Sequence, residues 1–274
     1  MILQWIKSLF LKPYLVVSVV NDVSLHRNWN TKDANFDVML IYTGPEKGKY
    51  KSECKYYRAD RGPKWSLYDK HISPVLSKYP HFFLLDSEVS ITAAQINKMF
   101  EFAEQWNLNL AQPSISTETK HNVNITLNNP KFSIRFTNFV ELEATIISQE
   151  AFKSLKSLFN QVRNSMGYEW ILPKYLDYDR CGVIDEVIIK RNGQCKARLV
   201  DTKPEREANI MAHGMLASCV EIDAVPRYDI DCGFNKRSLL APYRFARLNR
   251  PNRRANDCSN AEVAVGARLL HYRR

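Results

Sequence analysis

Short apolar runs that alternate with segments of helical spacing fill the first 190 residues, and this alternation restricts the fold more than any other feature. Leu15–Val20, Phe36–Tyr42, His81–Leu85, Leu110–Pro113 and Gly182–Ile189 read as strands, the first two ended by Asn21-Asp22 and Thr43-Gly44-Pro45. Between them, Trp65, Tyr68, Ile72, Val75 and Leu76 recur at helical spacing over Lys64–Lys78, with a break at Pro74. Thr92 followed by Gln95 forms a capping-box pattern that opens a helix through Ile96, Met99, Phe100 and Ala103 to Trp106. Further helices are expected over Gln149–Val162, over the stretch that follows Gly167-Tyr168-Glu169-Trp170 up to Leu176, with Pro173 in its first turn, and over Glu205–Val220. Phe136–Ile147 reads as one strand region, and Lys47–Arg58 as loop or edge strand. The polar stretch Ser114–Pro130 is long enough to cover a site, or is plain surface. Strands alternating with helices specify an α/β fold built on an open, mostly parallel sheet flanked by helices.

With 274 residues, 45% of them apolar, the chain can fill one large core. The longest clean apolar run near the start is strand-sized, far short of the roughly 20 residues a membrane span needs. The first residues carry no basic leader or small-residue cleavage site, and Trp5, Leu9 and Phe10 suit one face of a short helix ended by Pro13. Six cysteines without a C-x-x-C pair fit reduced thiols in a cytoplasmic protein, so a metal would be held by oxygen. The formal charge of +10 is uneven: from Gly233 onward ten Lys and Arg stand against Asp257 and Glu262. The chain therefore divides into a domain, residues 1–235, and a basic extension, residues 236–274. Interleaved with Leu239, Leu240, Tyr243 and Phe245, that extension suits an anionic membrane surface or a polyanion, or is a solvated end.

The chemistry is narrowed by what is missing. There is no P-loop, no G-x-G-x-x-G turn and no G-x-S-x-G elbow. Asp185-Glu186 before Lys190 suggests a nuclease core, but Ile188 stands where that chemistry needs an acid. What remains is a set of acids at strand ends and loops: Asp22, Asp86, Glu88, Glu141, Glu143, Glu169 and Asp185. Asp86 and Glu88 end the apolar run His81–Leu85 and, at positions i and i+2, both face one ion if Ser87 points away. Mg²⁺ or Mn²⁺ is held in this way by one or two carboxylates, with substrate phosphates completing its shell. Arg61 or Lys64, in Arg-Gly-Pro-Lys-Trp, is placed to meet the same diphosphate.

Three stretches carry a resemblance to a family: Lys64-Trp65 leading to Phe82-Phe83-Leu84-Leu85-Asp86-Ser87-Glu88-Val89; Leu110-Ala111-Gln112-Pro113-Ser114; and Gly167-Tyr168-Glu169-Trp170 on to Tyr178-Asp179-Arg180-Cys181-Gly182-Val183-Ile184-Asp185. In order and flavour, over roughly residues 15–190, they resemble an uncharacterised glycosyltransferase-like family of bacteria and plants with a GT-A-type fold, whose acidic D-x-D motif follows a hydrophobic strand. The resemblance implies sugar transfer from a nucleotide-sugar to a glycan or lipid-linked acceptor, as in surface polysaccharide biosynthesis, with Mn²⁺ or Mg²⁺ at Asp86 and Glu88. Glu169 inherits the role of acceptor base, with Glu141 and Asp185 as reserves. Asp22, Arg61, Lys64, Trp65, Ser87 and Lys190 are the expected contacts to the donor, and Trp65 and Trp170 offer sugar-stacking faces or are core. Consecutive aspartates of the family pattern are Asp86-Ser87-Glu88 here, and Lys190 replaces a histidine expected after the last strand, which leaves open a metal-independent mode. The expected setting is the cytoplasm, peripheral to the inner face of the membrane, with no specific nucleic-acid partner. The alternative is a non-catalytic scaffold of the same fold that docks on anionic membrane or nucleic acid through its basic extension.

Overall fold

A computed structural model describes residues 12–46, 48–119, 123–159, 167–191 and 222–226. The expected helix at residues 205–220, the N-terminal turn and the basic extension lie outside these residues, as do Cys195, Cys219, Cys232 and Cys258. Cys54 is a free thiol, and Cys181 is buried.

Among the described residues ten strands form one mixed sheet: β1 (Tyr14–Val20), β2 (Phe36–Tyr42), β3 (Tyr56–Ala59), β4 (His81–Leu85), β5 (Val89–Ser90), β6 (Leu110–Ile115), β7 (Phe132–Thr137), β8 (Ala144–Ser148), β9 (Cys181–Arg191) and β10 (Ile222–Pro226). The spatial order is β10-β7-β9-β6-β8-β4-β1-β2-β3, with β5 paired to the end of β9. β4, β1, β2 and β3 are mutually parallel, and β6 and β9 are parallel to each other. β8 runs against β4 and β6, and β7 against β9 and β10, so along the path β7 and β8 alone oppose the common direction. This is the open, mostly parallel α/β sheet expected from the alternation.

Helices cover both faces because the central strands are apolar on both sides. On one face Leu15, Val17, Met39, Ile41, Phe82 and Leu84 pack under α1 (Lys64–Ile72), α3 (Gln149–Leu155) and α4 (Tyr168–Tyr175). On the other face Val16, Leu40 and Phe83 pack under α2 (Ala93–Gln105) through Ile96, Met99, Phe100 and Ala103. Each fully buried Leu, Ile or Phe here contributes about 1.5–3 kcal/mol. The Thr92 capping box forms as expected, and Gln95 Nε2 also donates to Ile188 O at 2.7 Å, tying α2 to β9.

Four local expectations are corrected. Residues 136–147 are not one strand: β7 ends at Thr137, and Asn138–Glu143 crosses over β9 and β6 before β8 starts. Phe139, Val140 and Leu142 are buried in this crossover, so its apolar content packs a connection instead of extending a ladder. Helix α3 ends at Leu155 and gives way to a 3-10 turn over Lys156–Leu158. Pro173 lies in the interior of α4 and not in its first turn. Proline has no N–H to bond the carbonyl four residues back, and that carbonyl, Glu169 O, instead accepts Val140 N at 3.0 Å. Pro173 thereby frees the group that anchors the crossover. Finally, β6 runs two residues beyond Pro113, with a register shift that opposes Pro113 to Ile184 and Ser114 to Ile188.

Candidate active site at the carboxyl ends of the parallel strands

Because β1, β2, β3 and β4 are parallel, the residues that follow them share one edge of the sheet: Asp22 after β1, Thr43 after β2, Asp60 to Lys64 after β3, and Asp86 to Glu88 after β4. In open α/β sheets this edge is where ligands bind. β8 is antiparallel, so it starts at this same edge and brings Glu143 there; Asp86 N donates to Glu143 O at 2.7 Å. The β1 and β4 loops are joined by Leu25 N donating to Ser87 O at 2.8 Å.

Lys64, at the first position of α1, extends its ammonium to Asp86 Oδ1 at 2.8 Å and to Leu142 O at 3.2 Å. It thus links the strand-end acid to the crossover. Glu143 is largely withdrawn from water, and this burial raises its carboxyl to about 7. The Asp86 carboxylate pushes in the same direction, Lys64 opposes it, and Glu169 and Glu88 add to the rise. Asp86, Glu169 and Glu88 thus lie near enough for their charges to act on Glu143, with Lys64 as the cation paired to Asp86. Glu169 is in the first turn of α4, where its Oε2 accepts Gly167 N at 2.9 Å.

Among the residues named from sequence, Lys64, Asp86, Glu88 and Glu169 come together in this cluster, and Ser87 forms its turn. Asp22 lies on the same edge, where Lys49 Nζ at 2.8 Å and then Tyr42 OH at 2.7 Å hold its carboxyl below the usual range. Arg61 donates from Nε to Thr43 O at 2.8 Å. Lys190 faces Ser90 across the β5–β9 pair, and its ammonium bonds Glu118 Oε2 at 2.8 Å. Glu141 is buried in the crossover, its carbonyl accepting the Thr145 hydroxyl at 2.8 Å. Asp185 is fully buried away from the cluster, in a bidentate pair with Arg135 on β7. Trp65 is core: it packs against Tyr68, Phe159 and Tyr168 and is 2% exposed. Trp170 meets Phe139 edge-on at 4.6 Å between ring centroids. Within the polar stretch after Pro113, Asn128 is bonded back to the sheet, its Nδ2 donating to Ser114 Oγ and Asp185 O.

Sequence reasoning assigned Glu143 no role, because a strand running through it hid that it starts β8 opposite the end of β4. The available signal was an acid directly before the apolar run Ala144–Ile147. Tyr68 was also missed. Its hydroxyl is buried without a hydrogen-bond partner among the described residues, and burial first, then the Asp86 charge, keep its proton bound.

A divalent cation at Asp86 and Glu88 is consistent with this chemistry. The donors are hard carboxylate oxygens, and the Lys64 ammonium already stands in for a cation at Asp86. Among the described residues no group of three or more His, Cys, Asp and Glu forms a metal cage, so further ligands would be phosphate oxygens and water. Among the described residues no helix is long and apolar enough to cross a membrane.

No family model matches the chain, and no curated protein matches it. Among solved structures it is similar to S. aureus TarS, of which it spans 36%, and to the 1–349 portion of TarS in complex with UDP-GlcNAc. The latter match has 10% identity and a TM-score of 0.48 and covers 73% of this chain and 64% of that one. It is also similar to glucosyl-3-phosphoglycerate synthase from Mycobacterium tuberculosis, in complex with Mn²⁺, UDP and phosphoglyceric acid, at 9% identity and a TM-score of 0.48 over 78% of this chain and 87% of that one.

Proposed function

We propose that the chain is a GT-A-like glycosyltransferase that moves a sugar from a nucleotide-sugar to a hydroxyl of a glycan or lipid-linked acceptor. The observation that carries this reading is the convergence of Lys64, Asp86, Glu88, Glu143 and Glu169 at the carboxyl ends of the parallel strands, on the edge that also holds Asp22. Asp86 and Glu88 would hold Mg²⁺ or Mn²⁺, which when bound neutralises charge on the departing diphosphate. Lys64 adds a fixed positive charge on the same side.

Glu143 is the group best suited to take the acceptor proton, since a general base works best with a proton affinity near the operating pH. In a single displacement the acceptor oxygen bonds the anomeric carbon, the bond from that carbon to the diphosphate oxygen breaks, and the acceptor proton passes to the Glu143 carboxylate. Glu169, fixed by Gly167 N, shapes the field around Glu143 and orients the acceptor. Asp185 has no part in this step, because Arg135 and the β9 bulge enclose it.

The test is release of nucleoside diphosphate from a panel of sugar nucleotides with Mn²⁺, comparing wild type with Asp86→Ala combined with Glu88→Ala. Loss of turnover in the double variant supports the site, whereas equal turnover in both overturns it.

A further inference from the structure

Lys64 already neutralises Asp86, the carboxylate that the proposed function gives to a metal ion, and two cations held on one carboxylate repel each other. The ammonium is 2.8 Å from that oxygen and has a second hold on Leu142 O at 3.2 Å, a neutral acceptor that it can keep when the first bond breaks. One turn along α1, the Tyr68 hydroxyl is buried with no hydrogen-bond partner among the described residues. A buried hydroxyl without a partner is costly, and this one also feels the Asp86 charge. Asp86, Glu88, Glu143 and Glu169 surround the place, so a diphosphate arriving alone meets net negative charge.

We infer that Lys64 is a tethered counter-cation: it holds Asp86 while the site is vacant, yields the carboxylate to a divalent cation, and swings on its Leu142 contact to the donor diphosphate. Metal and diphosphate then bind in a coupled way, because each supplies the partner that the displaced group needs. This rests on the glycosyltransferase reading only in that it takes a nucleoside diphosphate as the ligand. Lys64 is a positioning residue for the cation and a contact for the diphosphate.

The experiment measures binding, not turnover. Mn²⁺ alone is titrated into wild type, Lys64→Met and Lys64→Arg, with free ion followed by electron paramagnetic resonance, and UDP is then titrated at saturating Mn²⁺ by calorimetry. Removing a partly exposed competing charge should tighten Mn²⁺ binding about three- to tenfold in Lys64→Met, while UDP binding weakens at least about fivefold. Lys64→Arg, which keeps the charge, should stay close to wild type for Mn²⁺. Lys64→Gln replaces Lys64→Met if the latter does not melt as a folded protein. Mn²⁺ binding no tighter in the neutral variants, with UDP still bound by wild type, overturns the counter-cation and leaves the proposed function standing. Wild type that binds neither Mn²⁺ nor UDP overturns both.

Discussion

Arg135 grips Asp185 with two parallel hydrogen bonds, Nε to Oδ2 at 2.6 Å and Nη2 to Oδ1 at 2.9 Å, while two further N–H groups donate to Ile125 O and Leu127 O at 2.7 Å each. Both side chains are almost fully buried. The pair fastens the long Ser114–Pro130 connection to β7 and β9, and Asn129 N completes it by donating to Asp185 Oδ1.

Removing one partner of a buried pair strands the other charge, which costs about 3–5 kcal/mol. Asp185→Asn should therefore destabilise the protein by that amount in chemical denaturation. Any Asp185→Asn protein that remains folded should bind UDP with wild-type affinity. A stable variant with impaired UDP binding would return Asp185 to the site.

At Gly182 β9 runs so near β7 that a Cβ there would lie 2.7 Å from Arg135 O, which is backbone and cannot turn aside. Gly182→Ala should cost about 1–3 kcal/mol by forcing the strands apart. Comparing its denaturation midpoint with wild type checks this, and an unchanged midpoint would show that the strands have room to give.

Glu143 binds its proton more tightly in the folded protein, near 7, than when unfolded, at the ordinary glutamate value of 4.5. Its contribution to stability is full below about 4.5 and is lost as pH rises through about 7. Glu143→Gln, which cannot ionise, should melt close to wild type at pH 4.5 and above it at pH 8. A melting difference that stays constant across this range would mean that Glu143 does not titrate there.

Tyr68→Phe removes a buried hydroxyl that has no hydrogen-bond partner among the described residues. The metal-free protein should gain about 1 kcal/mol, since an unsatisfied buried polar group costs more than its absence. Thermal melting without metal checks this; a loss of stability would reveal a partner for the hydroxyl.

Much of the fold was legible because local chemistry and tertiary structure agree. The strands at Phe36–Tyr42 and His81–Leu85, and the Thr92–Gln95 cap, follow from apolar runs, turn residues and a capping pair that act within a few residues of one another. The expected break at Pro74 falls where α1 passes into a 3-10 turn. Residues 138–143 were not legible in this way. Apolar residues packed beneath a crossover look the same in sequence as those of a strand, and the bond from Val140 N to Glu169 O that fixes the crossover spans 29 positions.

The sequence by itself determined that an α/β sheet would form and that Asp86 and Glu88 would stand at the end of one of its strands, because strand period and turn chemistry are local. Only the tertiary structure decided their company. The antiparallel insertion of β8 between β4 and β6 delivers Glu143 to the same edge, and the start of α1 delivers Lys64 to Asp86. The same packing encloses Asp185 and Trp65 in the interior. Burial and charge then set the proton affinity of Glu143, and both depend on neighbours distant in the chain, which composition and spacing do not encode.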